Sequence, residues 1–571
     1  MKHTDSINSP FWKNSLIWII LLSLLGIVAG IIGFVNPDHF ICESVEQYSN
    51  SAYSTVQLFL LHHSFDNKSI NILQEISRWS IFFAVILLSY DVLSTLFQKQ
   101  LNFLIIKSYH DHIIICGLTD DSLQLATKIL KKDNKVKIVF IDNTPDNPLY
   151  NSLRDPRAKH NIIGDTYSRT VLKQANIHKA KEVFIFTDKD VQNVENAKII
   201  FDLIDGKSSS DKVLECFVNI RNLQYKRILN DSKLFSKVYP NFNGRLFNMD
   251  ETGIKYSLLT CFPLLFNKEK IHILIAGLNT RSIVLIENIC HFYNPSKDAS
   301  NIKITVVEAD SLAIEQFKIS HTSLNKFADI GFLNKNISLI SNEQLDSIAP
   351  SSICICSQSE REMIEATYLW DINCKKTEIP ILIFSNTETP VAEEDLPEDK
   401  RGIQLPLEER NIHLVLLNKE NNSFVKDFSE NIEEIAKLIH KKYLESEPNA
   451  PSYNKLSEHF KDSNRNQAID MYLKLSYWKL ITNKKLDELK IQGFSKDKDE
   501  KKLLLAQIEH RRWMIEKYIN GWSLEKRNDN KKYREDLIDW DLLTDKAKEK
   551  DNGAIDLMWK LLKEGILNEQ F

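Results

Sequence analysis

At 571 residues the chain is longer than one hydrophobic core usually serves, so three or four folded units of about 150 residues each are expected. A formal net charge of −4 and a pI near 6.5 leave no basic excess, which excludes nucleic acid as the main partner. The eight cysteines lack zinc spacing, and seven of them follow the second hydrophobic stretch, where reduced core thiols are expected; Cys354 and Cys356 fall in an apolar run that puts both on one face of a strand.

The first element runs from Ser15 to Val35, 21 residues without a charge, enough to cross about 30 Å of hydrocarbon as a helix. It ends in Asn36-Pro37 with no small-residue cleavage pattern and a second apolar stretch follows, so a retained span is expected in place of a signal peptide. That second stretch, Trp79 to Phe97, carries Asp91, which should face protein or water because a carboxylate facing lipid at mid-depth costs roughly 3 kcal/mol or more. Lys2 and Lys13 before the first span and Lys99 and Lys107 after the second place both termini in the cytoplasm, as a multi-pass protein of the inner (plasma) membrane. Between the spans, Ser51 to Ser64 is amphipathic and too short to cross, which fits a re-entrant or interfacial helix. On these residues the layout of 1–107, with spans 15–35 and 79–97, resembles a two-span potassium channel. That resemblance implies a pore helix between outer and inner helices, with Thr55, Gln57 and Asp91 lining the pore. The family's TVGYG-type filter, whose carbonyls replace the ion's hydration shell, does not follow Leu60; LHHSFDNKS stands there.

Residues 108–268 change pattern: HIIICGLTDDSLQLATKIL reads as strand, glycine turn and helix, and KVKIVFID as a second strand ending at Asp142, a βαβ unit. Two further short strands end at Gly164-Asp165 and Thr187-Asp188. With its GD turn, L-x-x-A spacing and D-x-x-N run, the stretch from about Asp111 to Phe217 resembles the TrkA-N, or RCK, regulatory domains of potassium channels and transporters. The resemblance implies a dinucleotide or related ligand over a G-x-G-x-x-G turn, with Gly117, Asp142, Gly164, Asp165 and Asp188 around it. Here only Gly117 keeps its place; Thr119 and Ser122 replace the next glycines, and Asp120 and Asp121 can cap the helix where a phosphate would sit. A scaffold without ligand therefore stands beside the dinucleotide reading. The segment from Asn219 to Asn267, with NFNGRLFN, gives no chemical signal.

Residues 269–420 repeat the order of strand, glycine, helix and strand, with Gly277 and the strand-end Glu308, and look like a second RCK-type lobe. Asn279 and Ser282 again replace glycines, while Arg281 makes this turn more compatible with an anion. Tandem lobes suit a ring-like homo-oligomer, a tetramer first, or two Rossmann shells used only for assembly.

Residues 421–571 turn to amphipathic helices. Leu505, Ile508, Ile515 and Ile519 share one helical face, Glu509, Trp513 and Lys517 another, and Asn520-Gly521 stops the helix. The region of about 503–568 strongly resembles the ryanodine-receptor (RyR) domain through Glu509, His510, Arg512, Trp513, Gly521, Trp522, Arg527, Lys532, Leu537, Trp540, the run Lys548 to Asp551, and Gly565. The helix carrying Arg465 resembles the extension that precedes it. The concentration of tryptophan with arginine, lysine and histidine suits base stacking and phosphate binding, so Arg465, His510, Arg512, Trp513, Trp522, Arg527, Lys532 and Trp540 form the candidate pocket; the bland reading makes the tryptophans core anchors.

H-E-x-x-H, G-x-S-x-G, a Walker lysine loop and a metal quartet are all missing from the sequence, so no catalytic or metal residues are expected. An NAD-linked oxidoreductase would need intact glycine turns. The leading expectation is a bacterial-type, ligand-gated channel-like protein: a membrane α-helical hairpin, tandem α/β Rossmann-like lobes and an α-helical RyR-type end, regulated by a cytosolic nucleotide or dinucleotide. The alternative is a membrane effector of a nucleotide signal, of the defence type, without an ion-selective pore.

Overall fold

The computed structural model describes residues 12–35, 45–60, 62, 71–145, 147–153, 155–205, 212–266, 268, 270–294, 301–357, 359, 362–367, 379–385, 411–417, 427–492 and 496–567. They form two compact units: one is essentially residues 1–109, and the other holds nearly all of 110–571.

The first unit is three helices, α1 (Trp12–Val35), α2 (Val45–Phe59) and α3 (Ile72–Lys107). Two windows, Ile17–Val35 and Ile72–Tyr90, are long and apolar enough to cross a membrane. The second window begins ahead of Trp79 because Asn71 opens the helix with a capping box: its side chain accepts from Leu73 N, and Gln74 accepts from Asn71 N at 3.1 Å. Glycines let the backbones close up: a Cβ at Gly30 would lie 2.6 Å from Thr55 and 2.7 Å from Ser77. Ser77 Oγ donates to Gly26 O at 2.6 Å and Gln74 Nε2 to Gly33 O at 3.1 Å, so these buried polar side chains are satisfied by the backbone of α1. Thr55 is buried here, its hydroxyl donating to Ser51 O at 2.7 Å, and Gln57 is half-buried. The Asp91 side chain and residues 63–70 lie outside the described residues.

The second unit contains two six-stranded parallel sheets of identical winding. The first has β1 (His112–Cys116), α4 (Asp120–Lys132), β2 (Ile138–Asp142), β3 (Asn161–Ile163), α5 (Arg169–Gln174), β4 (Ala180–Ile185), α6 (Asp190–Asp205), β5 (Leu214–Asn219), α7 (Leu223–Asn230), α8 (Lys233–Ser236) and β6 (Phe242–Phe247), in the order β3-β2-β1-β4-β5-β6. After α9 (Met249–Phe266) the second follows with β7 (His272–Ala276), α10 (Thr280–Ile289), β8 (Lys303–Val307), α11 (Ser311–Ser320), β9 (Asp329–Leu333), α12 (Asn342–Ile348), β10 (Ser352–Ile355), β11 (Ile381–Ser385) and β12 (Ile412–Leu416), in the order β12-β11-β10-β7-β8-β9. The central strands HIIIC and HILIA are buried at every position, the near-continuous apolar runs that a parallel sheet demands. The stretch NFNGRLFN proves to be the edge strand β6, paired in register with β5 from Leu214–Phe242 to Asn219–Phe247.

The C-terminal helices are α13 (Asp427–Ser446), α14 (Glu458–Thr482), α15 (Leu486–Gln492), α16 (Lys496–Ile519) and α17 (Asp545–Lys563). They share one apolar cluster with α9, α10 and the second sheet: Phe262, Ile273, Phe292 and Phe384 sit in the same core as Tyr477, Trp478, Leu505, Met514 and Met558. Gly521, at φ +79°, ends α16 as read, with Gly521 N and Trp522 N donating back to the carbonyls of Tyr518 and Lys517. The six described cysteines, Cys116, Cys216, Cys261, Cys290, Cys354 and Cys356, are free and buried.

Candidate ligand sites

Gly117 leaves β1 at φ +96°, and a Cβ there would sit 3.0 Å from the backbone of Phe186, so only glycine fits this turn. The first turn of α4 is closed by its own side chains: Thr119 Oγ1 accepts from Ser122 N at 3.2 Å, and Ser122 Oγ accepts from Thr119 N at 2.8 Å. Asp120 and Asp121 fall in that same turn. Gly164 follows β3 and donates its N–H to the carbonyl of the buried Asp142, while Asp165 accepts from Ser168 N. Asp188 pairs with Arg221 at 3.1 Å on the surface. Beneath it, the fully buried Asn193 ties Thr187 to the carbonyl of Asn219, a joint carried by the D-x-x-N run but absent from the candidate set.

In the second lobe a crevice of about 300 Å³ lies at the carboxyl ends of β7, β8 and β10, lined by Gly277, Asn279, Glu308, Ser357 and Glu362 among others. Gly277 stands at φ +89°. Asn279 Oδ1 accepts from Arg281 N at 2.9 Å and Ser282 N at 3.4 Å, and Glu308 accepts from Leu278 N at 2.7 Å and Asp310 N at 2.9 Å. The donors that would face a phosphate are thus already engaged by oxygen atoms of the chain. Arg281 does not line the crevice: its Nε donates to Asp250 at 2.9 Å and its Nη1 to Phe384 O at 3.1 Å, so the cation expected to draw an anion is committed below the sheet end. Among the described residues the crevice brings together two carboxylates and no cation, which suits a polyol or sugar edge better than a pyrophosphate.

The C-terminal candidates separate into three groups. Arg465 is held by Glu433 at 2.6 Å, Glu458 at 3.0 Å and Asp462 at 2.5 Å, and Arg512 by Glu509 at 2.8 Å and Glu516 at 2.7 Å. Burial alone would raise the Glu509 and Glu516 carboxyls, but Arg512, with Lys474 and Lys517 respectively, holds each at about 2. Lys474, buried between Asp470 and Glu509, is pulled down by desolvation to about 8. These arginines are interior ion pairs. His510 stacks on Trp513 at 5.8 Å and meets Trp540 edge-on at 6.0 Å; burial opposes its protonation, but Asp551 and the Ile538 carbonyl raise it. Trp522 is buried with Lys517 and Arg534 over its ring at 5.1 and 5.0 Å, Lys532 reaches Asn520 O and Asp231, and Arg527 is exposed beside Asp529 at 3.7 Å. Arg511, which the candidate set omits, bonds the carbonyls of Cys290, His291 and Phe327 and fastens α16 to the second lobe. No cluster of metal-ligating side chains occurs among the described residues.

The family model for the TrkA-N domain matches residues 113–236. No curated protein matches the chain. Solved structures of low similarity include GsuK bound to ADP, at 11% identity over 74% of this chain and 98% of that one with a TM-score of 0.38. The GsuK channel bound to NAD gives 10%, 76%, 86% and 0.38, and the human SLO3 gating ring gives 11%, 55%, 82% and 0.37, in the same order. The TrkA-N match spans β1 through α8 and stops before β6, so the strand that completes this sheet lies beyond the matched residues.

Proposed function

We propose that the chain is a membrane-anchored sensor in which a small cytosolic ligand, of the nucleotide class, is bound by the body around the TrkA-N domain and alters the state of the helical hairpin. The observation that carries this reading is the union in one chain of two membrane-length helices with a regulatory-type domain whose first strand is separated from α3 by four residues. The body acts by binding and not by catalysis; the ligand can shift the hairpin only by its differential affinity for two states. Channel-like conduction by a homo-oligomer, a tetramer first, with both termini cytoplasmic, is the form of the reading that the two-span layout favours. The His510, Trp513 and Trp540 cluster belongs, in this reading, to an RyR-like module.

A second reading, a membrane effector that permeabilises without selecting ions, is favoured by the residues after α2, where LHHSFDNKS stands in place of a TVGYG-type run. Purified protein in liposomes loaded with potassium and a larger dye separates the two. Ligand-dependent potassium loss with dye retained supports the channel, loss of both supports the effector, and neither, across ATP, ADP and NAD, removes the sensor reading.

A further inference from the structure

A cavity of about 1150 Å³ is lined by residues of neither glycine turn. Its floor is half of one face of the first sheet. Side chains alternate across a strand, so Glu182, Phe184 and Phe186 of β4 and its end, Phe217 of β5, and Arg245 and Phe247 of β6 share that face, and all of them line the cavity. A parallel sheet normally covers such a face with a packed helix. Here α4 covers only part of it, and the opposite wall comes from α13, α14 and α16.

The floor is apolar and ordered. Phe184 and Phe217 stack at 4.6 Å and 9°, and the Arg245 guanidinium lies over the Phe217 ring at 5.2 Å. Among the described residues Arg245 makes one ion pair, with Glu458 at 3.4 Å, which is itself 3.0 Å from Arg465 and 2.8 Å from Lys461; Glu215 and Glu433 act on it only at longer range. Its planar donors are therefore pre-positioned and under-used, the arrangement that recognises carboxylate or phosphate. The lining holds eleven Lys and Arg against eight Asp and Glu, so an anion fits it better than a cation. At its rim, Lys131 and Lys437 are exposed and make no ion pair among the described residues.

We propose that this cavity is a binding site for a phosphorylated compound with a flat apolar body, the nucleotide class, its ring on the Phe184 and Phe217 floor and its phosphate on Arg245 and the rim lysines. The proposal deepens the sensor reading and rests on it for the ligand's consequence, while its location stands on the cavity alone. It also places the phosphate in a cavity that shares no lining residue with the carboxylate-lined crevice at Gly277.

The test is calorimetric titration of the full-length protein in detergent micelles with ATP, adenosine and inorganic tripolyphosphate. ATP is expected to bind more tightly than either fragment. Arg245→Gln should weaken ATP by about tenfold or more, the scale of one charge-assisted contact. Lys131→Glu and Lys437→Glu, exposed and harmless to the fold, should each weaken it by about threefold, less so at high salt. Lys318→Glu on α11, outside the lining, should leave it unchanged. No ATP binding at millimolar concentration, intact affinity in the three cavity variants, or an equal loss in Lys318→Glu overturns the site. ATP binding with cavity sensitivity but no change in liposome flux with ATP, ADP or NAD would sink the sensor reading and leave the site standing; ATP-dependent flux indifferent to the cavity variants would do the reverse.

Discussion

The two sheets of the body share one winding, yet their surroundings diverge. Beneath the second sheet, α9, α10 and the C-terminal helices close a single apolar core, sealed by Arg511 on three carbonyls and by the Tyr477 ring 5.3 Å from Phe292. Beside the first, part of one face opens on a cavity floored with phenylalanine and walled with charge. Identical topology thus serves as an anchor in one lobe and as an open surface in the other, and what separates them is which face the later helices happen to cover.

The anchor should break most severely through its ion network. Glu509→Ala leaves Arg512 and Lys474 buried without their shared carboxylate and should destabilise the protein by about 3–5 kcal/mol in urea titrations of the micellar protein. A loss under about 1 kcal/mol would mean the helices are anchored by apolar contacts alone. The same network predicts an acid limit. Glu509, Glu516 and Glu458 are each depressed from 4.5 to about 2, so their contribution is complete above about pH 4.5 and is lost as pH falls towards about 2. Melting temperature should therefore be insensitive to these groups from pH 5 upward and drop steeply below it.

The glycine turns sharpen the comparison at a smaller scale. Gly117→Ala forces a left-handed backbone and a 3.0 Å approach to Phe186, for roughly 2–3 kcal/mol, whereas Gly277→Ala meets Ser357 at 3.3 Å and should cost roughly 1–2 kcal/mol. Equal losses would show that both turns yield alike. Smallest of all, Arg221→Ala removes an exposed partner of Asp188 and should stay within about 0.5 kcal/mol, which thermal denaturation would register as almost no shift.

Much of this is legible in the sequence. Strand runs such as HIIIC and HILIA, the glycines that follow them and the helix stop at Gly521 are local signals, set by burial on both faces and by positive φ. The strand FNGRLF was not, because its alternate residues face a charged cavity instead of a core and so mimic a polar linker. The fate of the arginines was hidden for a different reason. Arg281 finds Asp250 and Arg465 finds Glu433, each about thirty positions away in the chain, so a cation that looked available for phosphate is neutralised by a carboxylate that only folding brings near. The hairpin was legible in composition, and less so in extent: the cap at Asn71 set the start of α3 well before the most apolar residues.

The shared core beneath the second sheet bears on how the protein is made. Strands β7 to β12 leave the ribosome well before α17, yet their greasy underside is completed by Ile555, Met558 and Leu561 of that helix. Until those residues emerge, the nascent lobe must wait half-built, exposed to aggregation or to a chaperone, so a premature stop ahead of Asp545 should yield insoluble material instead of a shortened protein.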